Sequence, residues 1–143
     1  LLTEAAEVLG DEALRERVKD TALKVAQVTL NQAIDTDGSL LYEANPHGVT
    51  NSDREWWPQA EAVVGFYNAY QMSGDERYRQ AAFNTWNYIE NHLVDRKNGE
   101  WFRAVTKEGV VSRAPKVSLW KCPYHNGRAC LEMLQRLEAA ESH

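Results

Sequence analysis

A repeat of about 64 residues is the feature that most constrains the fold of this chain. Gly10-Asp11-Glu12 recurs as Gly74-Asp75-Glu76, and Pro58 recurs 65 residues later as Pro123. In each copy we expect the glycine to end one helix, the aspartate to cap the next, and the proline to lie at a helix start or in its first turn. Each unit is therefore a helical hairpin followed by a longer loop. Stacked hairpins bury their apolar faces against one another, which predicts a solenoid or a closed α/α toroid.

Helical periodicity dominates the rest of the sequence. Apolar residues recur every three or four positions, which predicts helices over residues 12–34, 54–72, 75–93 and 124–139. Residues 38–43 and 100–105 are rich in strand-forming side chains and follow Asp-Gly or Asn-Gly, so short β-hairpins are expected in the loops. Because the chain opens on helical residues, we expect a segment of a larger barrel cut inside a helix. The alternative is a small self-contained helical domain.

Composition narrows the class of protein. The 143 residues are 43% hydrophobic and 26% charged, which suits one packed domain. A net charge of -5 without a basic stripe argues against nucleic acid, and no apolar run is long enough to cross a membrane. The spacing of Cys122 and Cys130 suits neither a zinc site nor a disulfide framework, so both are expected to be apolar packing residues in a reducing, cytoplasmic protein.

Two loops that lead into helices, residues 54–61 and 120–128, carry most of the side chains suited to chemistry. If the two repeat units stack in register, Trp57 and Glu61 face the same cavity as Trp120 and His125. Aromatic walls with a few placed polar groups are typical of a sugar pocket, because pyranose C–H faces stack on indoles while hydroxyls take directed hydrogen bonds. The polar groups expected to bind these hydroxyls are Gln59, Glu61, Lys121, Asn126 and Arg128.

His125 is the candidate for proton transfer, because an imidazole titrates near neutral pH, where acid–base catalysis is most efficient. The alternative is a histidine that caps a helix or bridges loops. Of the adjacent tryptophans, Trp57 is expected in the pocket wall and Trp56 in the core. Glu61 can orient a histidine, bind a hydroxyl, or form a buried ion pair with Arg54 or Arg128.

The same residues resemble a known family. Trp56-Trp57-Pro58-Gln59-Ala60-Glu61-Ala62 and Trp120-Lys121-Cys122-Pro123-Tyr124-His125-Asn126-Gly127-Arg128 are similar to the two C-terminal signatures of the N-acylglucosamine 2-epimerase superfamily. Within it they are most like those of cellobiose 2-epimerases, and Gly99-Glu100-Trp101-Phe102 also resembles that family. The resemblance covers essentially the whole chain. It implies an all-α (α/α)6 barrel of twelve helices, with residues 1–143 as its C-terminal segment and the N-terminal part absent.

The resemblance also implies a reaction. The reducing-end sugar opens to its aldehyde, one histidine removes the C2 proton, and a second returns a proton to the opposite face of a cis-enediolate. By position, His125 matches one of these histidines, Trp57 and Trp120 match aromatic residues that hold the disaccharide, and Glu61 matches an acidic residue near the pocket. The second histidine precedes the segment that corresponds to Leu1, so the isolated chain is expected to be inactive. No cofactor or metal is expected, because hydrogen bonds can stabilise the developing oxyanion.

Other functions stay open at this point. N-acylglucosamine 2-epimerase and mannose-type aldose–ketose isomerase activities fit the same residues. A glycoside hydrolase would need two carboxylates across the cleft, and only Glu61 is well placed. A carbohydrate-binding helical repeat would bind sugar without changing it. The expected partner is a mono- or disaccharide with a free reducing end, and the open barrel edge could also drive self-association.

Overall fold

The fold is built mainly from helices. A computed structural model describes residues 2–141, and Leu1, Ser142 and His143 lie outside the described residues. The described helices are α1 (Leu2–Leu9), α2 (Glu12–Gln32), α3 (Trp56–Ser73), α4 (Glu76–Tyr88) and α5 (Tyr124–Glu141). One π-helical turn, Ile89–Leu93, extends α4. The four predicted helices are therefore confirmed, with their boundaries shifted by up to two residues and with residues 89–93 wound more widely than expected.

The helix ends and caps that the repeat predicts are confirmed. Gly74 ends α3 in a left-handed conformation with φ of 70°, which a residue with a side chain adopts only at a cost. Asp11 caps α2 by accepting a hydrogen bond from the Leu14 backbone N–H at 3.0 Å. Asp75 caps α4 in the same way, accepting from the Arg77 backbone N–H at 3.0 Å. The helices therefore pair as α1–α2 and α3–α4 hairpins, followed by α5.

The prolines also lie where the repeat places them. Pro58 is in the first turn of α3, and Pro123 immediately precedes α5. At these positions the missing proline N–H removes no helical hydrogen bond. Helices α3 and α5 therefore start after equivalent loops, and they pack side by side.

The predicted strands are only partly correct. Residues 38–43 were expected to form a hairpin, but the described strands nearby are β1 (Glu43–Asn45) and β2 (Gly48–Asn51), which pair antiparallel. The reason is that the Gln59 side chain bonds to both the N–H and the carbonyl oxygen of Leu40, which holds this loop against α3. The second pair joins β3 (Arg54–Glu55) to β4 (Ala104–Val105), which links the loops of the two repeat units.

The core is centred on α3. Its N-terminal half packs with the π-helical turn, Trp101, Val105 and Ala129 of α5. Its C-terminal half packs with α4 and with Ala26 of α2. Several apolar side chains on α2 and α5 are exposed: Val25, Val28, Leu131 and Leu134. Of the helices within residues 2–141, none combines the length and apolar character needed to cross a bilayer.

Candidate active site

The centre of the candidate site is a contact between α3 and α5. Glu61 lies in the second turn of α3, and His125 is the second residue of α5. Glu61 Oε1 and His125 Nδ1 are 2.7 Å apart, a hydrogen-bond distance. The two positions are one repeat length apart in the sequence, so the contact follows from the stacking of the two repeat units in register.

Glu61 also binds a guanidinium. Arg128 donates from Nη2 to Glu61 Oε2 and from Nη1 to Glu132 Oε1. Of the two pairs considered for Glu61, the structure therefore forms the one with Arg128, whereas Arg54 pairs with Asp35 at 2.6 Å. Burial raises the pKa of the Glu61 carboxyl, but hydrogen bonds from Arg128 and His125 outweigh it, and the pKa lies below its usual value. Glu61 is thus a carboxylate at neutral pH.

An ionised carboxylate determines the tautomer of a neutral His125. A carboxylate can only accept hydrogen bonds, so Nδ1 must carry the proton that it donates to Glu61 Oε1. The lone pair of Nε2 is then free to accept a proton. When it does so, the positive imidazolium is stabilised by the negative charge of Glu61. The pair has the chemistry of a general base held by an orienting carboxylate.

Aromatic rings surround this imidazole. The Trp57 ring lies 5.6 Å from the His125 ring between centroids, and the Tyr124 ring lies 4.9 Å away in an edge-on arrangement. Tyr42 approaches Trp57 edge-on at 6.3 Å. Trp57 is 37% exposed whereas Trp56 is 3% exposed and belongs to the core. Trp57 is thus the member of the pair that can offer an indole face to a ligand.

A cavity of about 330 Å³ opens beside His125. It is lined by Tyr42, Glu55, Trp56, Trp57, Arg103, Trp120 and His125. Trp120 lies in the loop before α5 and is 80% exposed, so most of its indole is available to a ligand. The structure thus brings Trp57, Trp120 and His125, from separate parts of the sequence, around one space. A second, mostly apolar cavity of about 700 Å³ extends along α2 and α3 and also reaches Trp57 and Glu61.

Glu55 and Arg103 line the cavity but were not found by sequence reasoning. The Arg103 guanidinium lies over the Trp56 ring at 5.4 Å. Burial raises the pKa of the Glu55 carboxyl, and the positive charge of Arg103 partly opposes that rise. Arg103 directly precedes β4, which pairs with β3 where Glu55 lies. That pairing between loops carries no signal in the sequence periodicity, so the sequence did not indicate these two residues.

Three of the expected hydroxyl-binding groups lie elsewhere. Gln59 is fully buried, with its amide oxygen and nitrogen both bound to the Leu40 backbone. Lys121 and Asn126 are also buried, and both donate to Glu100 Oε1 at 2.9 Å. The Gln59 amide, the Lys121 ammonium and the Asn126 amide nitrogen are therefore bonded within the protein, which holds the surrounding loops in place. Arg128 contacts Glu61 and so reaches the site through that carboxylate.

The family follows from a comparison with known proteins. A family model described as "N-acylglucosamine 2-epimerase (GlcNAc 2-epimerase)" matches residues 1–129. The chain belongs to the N-acylglucosamine 2-epimerase family. This confirms the resemblance carried by the segments around Trp57 and His125. Among the described residues of this family member, no group of three or more His, Cys, Asp or Glu side chains is arranged to hold a metal ion.

Relatives that match this chain are named as sugar epimerases and isomerases. A cellobiose 2-epimerase of Dictyoglomus turgidum is 42% identical over 138 residues, covering 96% of this chain and 35% of the relative. The crystal structure of a sugar epimerase from a ruminal bacterium matches with a TM-score of 0.89 at 39% identity, covering 94% of this chain and 35% of that one. The crystal structure of a D-mannose isomerase matches with a TM-score of 0.78 at 27% identity, covering 94% and 36%. This chain therefore spans about a third of the length of such family members, and its helical hairpins belong to their (α/α)6-barrel fold.

Proposed function

We propose that this chain supplies one wall of the active site of a sugar 2-epimerase of the cellobiose 2-epimerase type. The observation that carries the proposal is the pair of Glu61 and His125, 2.7 Å apart, beside a cavity walled by Trp57 and Trp120. The identity of 42% to a cellobiose 2-epimerase supports the choice of substrate class. The substrate is a sugar with a free reducing end, opened to its aldehyde.

In this proposal His125 transfers a proton at C2. Nε2 takes the proton from C2, and the bonding electrons move toward the carbonyl oxygen to give a cis-enediolate. Glu61 stabilises the imidazolium that forms. A second base on the opposite face returns a proton to C2, which inverts the centre and closes the cycle once solvent has exchanged the protons. In this proposal that base lies in a part of the protein outside residues 1–143.

Binding falls to the aromatic walls. Trp57 and Trp120 stack against the apolar faces of the sugar rings, since indole faces match pyranose C–H groups. Glu55 and Arg103 are the charged groups of the cavity lining, so they are the candidates to bind hydroxyls there. Gln59, Lys121 and Asn126 are left out of this set because they are buried and do not line this cavity.

The test is an incubation of the full-length protein with cellobiose in heavy water, followed by NMR. A 2-epimerase yields the mannose-type epimer with deuterium at C2. The His125→Asn variant can still hydrogen-bond to Glu61 but has no base, so its epimer formation should fall to background. An active His125→Asn variant would contradict the assignment. The 143-residue chain alone should give no turnover, because it holds one of the two bases.

Isomerisation is the second candidate function. It is favoured by the TM-score of 0.78 to a D-mannose isomerase. Proton return to C1 of the same enediolate would give a ketose. The heavy-water experiment separates the two, since an isomerase yields a fructose-type product. Free monosaccharides would indicate a hydrolase, and unchanged sugar that nevertheless binds would indicate a carbohydrate-binding protein.

A further inference from the structure

A partly buried ion pair between Lys121 and Glu100 lies next to Trp56, which lines the cavity. Glu100 Oε1 accepts hydrogen bonds from Lys121 Nζ and from Asn126 Nδ2, each at 2.9 Å. The Lys121 side chain has no exposed surface. A buried ammonium is strongly destabilising without a negative partner. Glu100 is therefore the group that allows Lys121 to lie inside the protein.

This cluster joins the elements that carry the site. Asn126 follows His125 in the first turn of α5. The Lys121 ammonium lies 5.2 Å from the ring of Trp56, which is the first residue of α3 and the neighbour of Trp57. One carboxylate thus links the start of α5, the loop before it and the start of α3. These are the two helix starts whose relative position sets the distance between His125 and Glu61.

The backbone of Glu100 is unusual. Its φ is 58°, and it is the only non-glycine residue between positions 2 and 141 with a positive φ. A side chain makes this left-handed conformation costly, so it persists only where surrounding contacts hold it. The Glu100 carbonyl accepts from the Asp95 N–H at 3.0 Å, and Phe102 N–H donates to Leu93 at 2.7 Å, which closes the turn on both sides. The turn therefore holds the backbone of Glu100, and the bonds from Lys121 and Asn126 hold its carboxylate.

We propose that Glu100 is a positioning residue for His125. Its carboxylate holds Asn126 and Lys121, which fixes the first turn of α5 against α3 and keeps His125 Nδ1 in line with Glu61 Oε1. Glu100 acts on the base through the helix, without touching the sugar. The catalytic consequence rests on the proposed function, but the effect on the geometry of His125 does not.

The test compares Glu100→Ala, Glu100→Gln and a control, Glu16→Gln, in the full-length protein. Glutamine keeps the length and one acceptor oxygen for Asn126, whereas alanine keeps neither. We expect Glu100→Ala to lower kcat for cellobiose by about 10- to 100-fold with KM little changed, the size of effect that a misplaced catalytic group produces. Glu100→Gln should fall between Glu100→Ala and the parent protein. Glu16 is exposed on α2, so its variant should match the parent.

A second readout separates positioning from loss of stability. Nitrogen-15 NMR of histidine-labelled protein, with the His125 signals assigned from His125→Asn, reports the tautomer of the imidazole. We expect one tautomer with hydrogen on Nδ1 in the parent and a mixture of both tautomers in Glu100→Ala. Across the variants, kcat should correlate with the fraction of the Nδ1–H tautomer and not with Tm. An unchanged His125 signal in folded Glu100→Ala would overturn the positioning role. If the full-length protein epimerised no sugar, the proposed function would fail while the NMR comparison still decided the role of Glu100.

Discussion

Replacing Glu61 by glutamine is a direct test of how His125 is held. The carboxylate accepts from His125 Nδ1 at 2.7 Å and also binds Arg128. Glutamine keeps the shape and one acceptor oxygen but removes the charge. Its amide group can also turn its NH₂ toward Nδ1, which places the imidazole proton on Nε2. A fraction of the protein would then lack a base at the cavity, and the imidazolium formed in the rest would lose its counter-charge.

The size of the effect follows from the hydrogen bond. A hydrogen bond to a charged group contributes about 1.5–3 kcal/mol, and one between neutral groups about 0.5–1.5 kcal/mol. The loss in the transition state is therefore about 1–2 kcal/mol, and because the Glu61 side chain is 35% exposed, solvent screening favours the lower value. At about 1.4 kcal/mol for each factor of ten, kcat should fall by about 5- to 30-fold. KM should stay within about threefold, because Glu61 acts through His125.

The assay is the initial rate of cellobiose epimerisation by the full-length protein over a range of substrate concentrations. Glu132→Gln is the matched control, because Glu132 is the other carboxylate bound to Arg128 and pairs in addition with Arg136. It should change kcat by less than about twofold, as expected for a partly exposed ion pair away from the reacting atoms. Wild-type kcat in Glu61→Gln, or an equal loss in Glu132→Gln, would refute the reasoning.

Three further predictions concern binding and stability. Trp120→Ala should raise KM for cellobiose about 2- to 10-fold with a smaller change in kcat, because a stacking face worth about 0.5–1.5 kcal/mol is lost. Gly38→Ala should lower the free energy of unfolding, measured in urea, by about 2–3 kcal/mol. The reason is that Gly38 has a φ of 84° and that an added Cβ would lie 2.8 Å from the Asn84 Cβ. Gly10→Ala is the control, because nothing lies within 4 Å of a Cβ added there. Although burial raises the pKa values of the Glu61 and Glu100 carboxyls, hydrogen bonds from cationic neighbours hold these pKa values below the ordinary glutamate value in the folded protein. The stabilisation by these carboxylates is therefore present above the ordinary glutamate pKa and is lost as the pH falls through the folded values. Urea midpoints from pH 6 to pH 3 should therefore fall less in Glu61→Gln.

Much of the fold could be predicted because its signals are local. Helix caps depend on a few adjacent residues, so Asp11, Gly74 and Asp75 were readable from the sequence. The repeat supplied the one non-local fact that mattered, the packing of α3 beside α5. The strands were less predictable because residues 38–43 carry strand-forming side chains, yet Gln59 binds the Leu40 backbone and holds this stretch as a loop. The residues next to Leu40 in the sequence give no indication of its contact with Gln59.

The candidate site was predictable only where the repeat applied. Glu61, Trp57 and His125 meet because equivalent positions in stacked hairpins lie side by side. Glu55 and Arg103 reach the cavity through pairing between two loops, which is not encoded by periodicity. Lys121 and Asn126 were expected to bind sugar hydroxyls, but in the structure both donate to Glu100. A buried lysine or asparagine looks like a pocket residue in sequence, and only the position of Glu100 shows that such side chains are bonded inward.

Divergence between the two repeat units explains how a duplicated hairpin can form an asymmetric site. Trp56 and Trp120 occupy equivalent positions one repeat apart, yet one is 3% exposed and the other 80% exposed. The cause is the helix start: α3 begins at Trp56 itself, whereas α5 begins at Tyr124, four residues later than the repeat requires. The unwound turn leaves Trp120 in a loop, where it becomes a cavity wall instead of a core residue. Glu61 and His125 are also one repeat of 64 residues apart. These equivalent positions hold an orienting carboxylate in one unit and a base in the other. Proton transfer is therefore proposed at the contact between the two units.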